Sequence, residues 1–168
     1  MKSDELKKLQ APLKEKYRND ASAALITLKA SGEIGNGISC KVDTGKAMVE
    51  AGLHPATGGT GMQACSGDLL LEALVACAGV TLSAVATAIE FDLKGGTVKA
   101  EGDLDFRGTL GVDKEASVGF KNVRLNFHLN TSESNERIET LLKLTERYCV
   151  VYQTLVSSVN LEAKVKLS

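Results

Sequence analysis

The stretch "SGDLLLEALVACAGVTLSAVATAIE", residues 66–90, decides the fold. From Ala73 to Ile89 it carries no charge and consists mostly of Ala, Val, Leu, Gly, Ser and Thr. Such a run predicts a helix buried on most sides. It is slightly short for a bilayer, and too rich in small residues for a lipid-facing span. Ser66 or Asp68 can cap its start, and "DLKGG" at 92–96 stops it near Phe91. At a 3.6-residue period Leu70, Leu74, Cys77, Thr81, Ala84 and Ala88 share one face, so Cys77 lies on a continuous stripe.

The flanking sequence alternates instead. Leu25, Ile26 and Leu28 begin a strand, "GNG" at 35–37 turns, Ile38, Cys40 and Val42 alternate, "DTGK" turns again, and Ala47 to Val49 continues. This reads as a three-stranded meander. A Gly-rich loop, 52–68, contains Pro55 and matches neither a P-loop nor a dinucleotide fingerprint. Beyond the long helix, Val98, Ala100, Leu104 and Phe106 form one alternating set. Val118, Phe120, Val123, Leu125, Phe127 and Leu129 form a second, with a phase change near Lys121. Two antiparallel strands joined through "GVDKE" fit this pattern. "SNERIETLLKLTERYC" is an amphipathic helix capped by Ser134; it runs into the apolar segment 150–159, and "NLEAKVKLS" closes the chain as a strand. Residues 3–19, with Leu6, Leu9, Leu13 and Tyr17 at helical spacing, form an exposed helix that Pro12 kinks or breaks. The fold class is α+β: an N-terminal helical extension, 1–22, and one domain, 23–168.

The 168 residues carry 20 basic and 21 acidic side chains, a formal net charge of −1. That balance gives no electrostatic reason to bind nucleic acid or an acidic membrane surface. Trp is absent and aromatics make up 4%, which argues against base-stacking platforms. The N-terminus is too charged for a signal peptide, so the expected location is cytoplasmic, where thiols stay reduced. Cys40, Cys65, Cys77 and Cys149 form no CxxC pair, and His54 and His128 are isolated. No metal and no organic cofactor is expected. His54 reads as a loop residue, His128 as a surface or interface residue, and Glu72 as a solvated or dimer-contact charge.

Cysteine is most often a small buried hydrophobe. Cys40 alternates with Ile38 and Val42 and reads as core, while Cys65 lies in the loop before the helix. Cys77 and Cys149 both have helical settings, and Cys149 follows Glu146 and Arg147 where the polar helix becomes apolar. A thiol attacks only as thiolate, which a nearby Arg or Lys favours. A sulfenic acid formed on one cysteine condenses with a second thiol to a disulfide. That chemistry needs closeness in space, and the spacing of 77 and 149 neither supports nor forbids it.

"GDLLLEALVACAGVTLSAV" (67–85) resembles the central-helix motif of the OsmC/Ohr family, and "YCVVYQTL" (148–155) resembles its second cysteine motif. "VKAEGDLDFRGTLGVDKEASVGFKNVRLNFHL" (98–129) is similar to the strands of an OsmC-like domain. The resemblance covers about 23–168. It implies antiparallel curved sheets around a long central helix, in an intertwined homodimer. It further implies a thiol-dependent peroxidase that reduces organic hydroperoxides, with Cys77 attacking the peroxide, Cys149 resolving, and an external dithiol such as a lipoyl group as reductant. Asp68 falls where the family often carries a carboxylate that holds an arginine over the thiolate. On an ideal helix Asp68 lies about half a turn around from Cys77. The chain departs from the pattern at Ser66-Gly67, where a proline is usual, and at Val150, where another is usual. Arg18 is the only arginine before the cysteine helix; Arg107, Arg124 and Arg147 are later candidates for activating the thiolate. The alternative is a non-enzymatic module binding a small ligand in an apolar dimer cleft. A thiol hydrolase or transferase is weaker, because no Ser/His/Asp-type arrangement accompanies Cys77.

Overall fold

The long uncharged run folds as α2, Ser66–Ala88, one unbroken helix of 23 residues. The computed structural model describes residues 3–34, 40–42 and 51–165. Leu71, Leu74, Val75, Ala78 and Leu82 of α2 are fully or almost fully buried. Each leucine so buried contributes roughly 1.5–3 kcal/mol of transfer free energy. By length and composition alone α2 could cross a membrane, but 50% of its apolar window is already buried inside the fold. Its apolarity therefore serves a core. The first helical residue is Ser66, and the N-cap position falls to Cys65, which makes no side-chain cap bond. Neither Ser66 nor Asp68 is the cap; Asp68 lies in the first turn. At the other end Glu90 takes a left-handed φ of 52° and ends the helix at Ala88, before Phe91. Phe91 then turns back into a core with Leu82, Val85, Ala86 and Leu141.

α2 lies across a four-stranded antiparallel sheet of order β2-β1-β5-β6, formed by Leu25–Ile34 (β1), Cys40–Val42 (β2), Gly95–Asp105 (β5) and Phe120–Asn130 (β6). Val98 and Ala100 of β5 are fully buried against α2. Two short strands, Ala51–Gly52 (β3) and Ala64–Cys65 (β4), pair in parallel and bracket the Gly-rich loop. The "GNG" and "DTGK" turns and the Ala47–Val49 strand lie outside the described residues, as does the side chain of Cys40.

The phase change near Lys121 is a bulge. Asp103 pairs with Asn122 and Leu104 with Phe120, leaving Lys121 as the extra residue. The connection from β5 to β6 is longer than the hairpin expected from "GVDKE", because it begins with a short helix, α3, Phe106–Thr109. Asp105 caps that helix by accepting the Arg107 N–H at 3.1 Å. The amphipathic helix is α4, Asn135–Tyr148, with Ser134 at its N-cap as expected. The apolar segment after it folds as α5, Val150–Val156. The closing strand does not form among the described residues: 157–165 has no regular structure, and Leu161 is 93% exposed. Among the described residues its alternating pattern has no strand beside it to pair with.

Pro12 neither breaks nor ends the first helix, α1, which runs Ser3–Asn19. A single lost backbone bond is outweighed by tertiary packing. Tyr17 is 2% exposed, packs with Ala24, Phe106 and Leu110, and donates its hydroxyl to the Ala56 carbonyl at 2.7 Å. The extension is thus fastened to the Gly-rich loop, and Gln10 donates to the Thr57 carbonyl beside it.

Candidate functional site: a thiol pair beside an apolar groove

Two helices end at one cysteine. Cys149 terminates α4 and starts α5, with its N–H donating to the Thr145 carbonyl at 2.9 Å and its sulfur accepting the Tyr152 N–H at 3.5 Å. It is 1% exposed. Gln153 ties the two helices together by donating to the Glu146 carbonyl at 2.8 Å. This junction packs Cys149 against α2, in the same core cluster that Cys77 packs against. The structure therefore brings together two cysteines 72 residues apart in the chain.

The two sulfurs sit in unlike environments. Burial pushes the Cys77 thiol up, but several donors outweigh it: first the Val151 N–H, then the Cys149 thiol, the Thr81 hydroxyl and the Val150 N–H. The net direction is down. These backbone donors belong to the first turn of α5, where amides face outward and favour an anion. Cys149 moves the other way. Burial pushes it up to about 11, the Tyr152 N–H works against that, and the neighbouring Cys77 adds to it. The pair is thus polarised, with Cys77 giving up its proton more readily than Cys149.

The other residues singled out in the sequence are placed elsewhere. Asp68 sits in the first turn of an unbroken α2, about 13 Å along the axis from Cys77 at 1.5 Å per residue and half a turn around. The chain takes no looped path that would bring the two together. Burial raises the Asp68 carboxyl, and the charge it feels is His54. Arg107 holds the buried Asp105 carboxylate through its Nη2 at 2.6 Å and its Nε at 3.0 Å, and reaches Asp113 at 3.3 Å. Arg124 is bound to Asp103 and Glu101. Arg147 lies over the Tyr148 ring, and Arg18 is in the last turn of α1. The groups that lower Cys77 are amides, a thiol and a hydroxyl rather than a guanidinium. His54 accepts the Ala56 N–H at 3.0 Å and stacks on Phe106 at 5.0 Å, so it is a structural loop residue. His128 is exposed on β6 opposite Thr97. Among the described residues no group of three or more His, Cys, Asp or Glu side chains could hold a metal.

A groove of about 630 Å³ opens next to the thiols, walled by Leu70 and Leu74 of α2, Phe120 and Leu125 of β6, and Tyr152 and Leu155 of α5. Leu74 is one helical turn before Cys77, and Tyr152 supplies the N–H that reaches Cys149. The polar groups on its walls are few: Lys121, Asn122 and Glu146. Gly102 shapes this wall, because a Cβ there would come 2.4 Å from the Phe120 ring. The sequence did not reveal the α5 amides or Thr81 as partners of Cys77. The available signal was the switch from polar to apolar at Cys149, which marks a helix junction, and the i,i+4 spacing of Cys77 and Thr81.

The sequence profile of the family described as OsmC-like protein matches residues 59–164. No curated protein matches the chain. Among solved structures, an OsmC-like hydroperoxide resistance protein from Jannaschia sp. CCS1 superposes with a TM-score of 0.64 at 15% identity, covering 86% of this chain and 95% of its own. An OsmC-like protein from Mycoplasma pneumoniae gives 0.55 at 14% identity, covering 79% and 85%. At such identities the structural likeness speaks for the fold, and the profile match spans well over half of the sequence. The chain belongs to the OsmC-like family.

Proposed function

We propose that this protein is a thiol-dependent peroxidase that reduces organic hydroperoxides. The observation that carries the reading is the polarised contact between Cys77 and Cys149. In this reading the Cys77 thiolate attacks the terminal peroxide oxygen and the O–O bond breaks. The alkoxide takes a proton and leaves as the alcohol, and Cys77 becomes a sulfenic acid. Cys149, deprotonated as it reacts, attacks the Cys77 sulfur; hydroxide leaves as water and a disulfide forms. An external dithiol, of which a lipoyl group is one example, then reduces the disulfide to two thiols. The chemistry uses no metal or organic cofactor. The likeness in fold to an OsmC-like hydroperoxide resistance protein supports this reading.

The groove supports an organic over an inorganic peroxide, since its walls are mostly Leu, Phe, Val and Tyr. Asp68 and the arginines have no place in these steps within one protomer. The protein is proposed to act in the cytoplasm as a homodimer. Support for the dimer comes from apolar side chains left exposed on the site's helices, Leu70 and Val80 on α2 and Val150 and Val156 on α5. The test is peroxide consumption with a dithiol reductant, comparing cumene hydroperoxide with hydrogen peroxide. Turnover should favour the organic peroxide and vanish in Cys77→Ser. Unchanged consumption in Cys77→Ser would remove the enzyme reading and leave the groove as a small-ligand site.

A further inference from the structure

We infer that His54 is a proton-operated latch for the N-terminal helix: the neutral imidazole builds the turn that α1 grips, and the charged imidazolium cannot. The inference goes beyond the peroxidase reading and does not depend on it.

The turn is the 3-10 segment Pro55–Thr57, in the Gly-rich loop that leads into α2. His54 stands at its N-cap, with Pro55 as the first residue of the turn, and the His54 Nδ1 accepts the Ala56 N–H at 3.0 Å. That place is ordinarily held by Ser, Thr, Asp or Asn, whose side-chain oxygen makes the same kind of bond. The His54 carbonyl takes three further donors: the Thr57 N–H at 2.8 Å, the Thr57 hydroxyl at 2.9 Å and the Gly59 N–H at 3.1 Å. The ring is fixed by stacking on Phe106 of α3, with centroids 5.0 Å apart and planes 15° from parallel. The residues that follow are the ones α1 holds. Tyr17 donates to the Ala56 carbonyl and Gln10 to the Thr57 carbonyl. Gly58 lets α1 approach, since a Cβ there would lie 3.3 Å from the Leu9 Cβ. Ala56 thus joins the imidazole, through its N–H, to the arm, through its carbonyl.

Histidine differs from the usual caps in one respect: it takes up a proton between about pH 5 and 8. Nδ1 accepts through a lone pair, and in imidazolium both ring nitrogens are donors. Protonation and the cap therefore exclude each other. The cap's contribution to docking is present while the ring is neutral and is lost as pH falls. The charge felt by Asp68, in the first turn of α2, is that of His54, so a carboxylate is at hand for the imidazolium. On α1, burial raises the Tyr17 hydroxyl and keeps it protonated, Lys14 is half-buried, and Glu15, Lys16 and Arg18 are exposed. On α3, Arg107 is turned to Asp105 and Asp113. Residues 52–61 carry no other ionisable side chain, and the second histidine, His128, is on β6.

The experiment is proteolysis of the full-length reduced protein by proteinase K at pH 8 and pH 5, with cleavage after Tyr17 followed by mass spectrometry. Each rate is divided by that of a synthetic peptide of residues 1–22 at the same pH, which removes the protease's own pH dependence, and circular dichroism confirms the fold at both. Cleavage of a docked helix tracks the fraction released. Wild type should lose about 3- to 10-fold of its protection at pH 5, the effect of one net hydrogen bond. His54→Asn caps without titrating and should stay equally protected at both pH values. His54→Phe stacks but cannot cap, and should be as poorly protected at pH 8 as wild type is at pH 5. His128→Asn should behave as wild type. The inference is overturned if wild type is equally protected at both pH values, or if His54→Asn loses protection as wild type does. No peroxide is involved, so this result and that of the peroxidase assay are read separately.

Discussion

Arg107 separates a structural arginine from a thiolate-activating one. It grips a carboxylate whose side chain is fully buried, with Nη2 2.6 Å from one oxygen of Asp105 and Nε 3.0 Å from the other. Arg107→Met removes both bonds and leaves Asp105 with the backbone N–H of residue 107 and with Lys121 at 3.7 Å. Breaking a buried pair by deleting one partner costs about 3–5 kcal/mol. Lys121 offsets part of this, so a loss of about 3 kcal/mol is expected. In a chain of this length that lowers Tm by roughly 6–12 °C. Thermal unfolding by circular dichroism measures it, and urea titration confirms it with an unchanged m-value. The double variant Asp105→Asn/Arg107→Met should recover part of the loss, because no buried charge is then orphaned. Cys77 alkylation in the folded variants should keep its wild-type rate. A variant with wild-type Tm and sharply slower alkylation would refute the assignment and make Arg107 an activator of the thiol.

Three further outcomes follow from the same structure. At pH 8 a thiol with a pKa of about 11 is ionised to roughly one part in a thousand, so Cys149 should be alkylated at least 100-fold more slowly than Cys77 in the folded protein; equal rates would contradict the polarised pair. The Asp105 carboxyl is held below its usual range, first by its bonds to Arg107. A depressed carboxyl stabilises the fold above its unfolded pKa and loses that contribution as pH falls through the folded value. Unfolding followed from pH 6 downward should therefore show wild type losing stability more steeply below about pH 4 than Asp105→Asn, and parallel curves would count against the linkage. Gly102→Ala puts a methyl 2.4 Å from the Phe120 ring. It should destabilise the protein by about 1–3 kcal/mol, as overpacking does, and weaken binding of an apolar dye in the groove; an unperturbed variant would mean that Phe120 yields freely.

Much of the fold was legible because periodicity reports burial. The uncharged stripe of α2, the alternation of β5 and β6, the phase change at Lys121 and the Ser134 cap all follow from local pattern. Where tertiary contacts decide, pattern failed. Pro12 is carried inside a helix that Tyr17 anchors from five residues away. "NLEAKVKLS" alternates like a strand, yet its described residues find no partner within one chain. The end of α2 was set by the left-handed Glu90 rather than by the glycines that follow. At the site, the two cysteines were recognisable by resemblance, but their closeness was not, because a separation of 72 residues carries no distance. The guanidiniums could not be assigned from sequence, since an arginine's partner depends on which carboxylates the sheet places beside it. Arg107 and Arg124 each found an aspartate from β5. The amides of Val150 and Val151 are invisible in any sequence, because every residue has an N–H and only the fold aims it.

The central claim is that Cys77 and Cys149 are partners in one oxidation. Adding one equivalent of cumene hydroperoxide to the reduced protein, blocking residual thiols and mapping disulfides by mass spectrometry tests it most directly. A Cys77–Cys149 crosslink within one chain is the expected product, with a sulfenic acid trapped at Cys77 in Cys149→Ser. Oxidation that falls on Cys65 or Cys40 while Cys77 and Cys149 stay reduced would contradict the account.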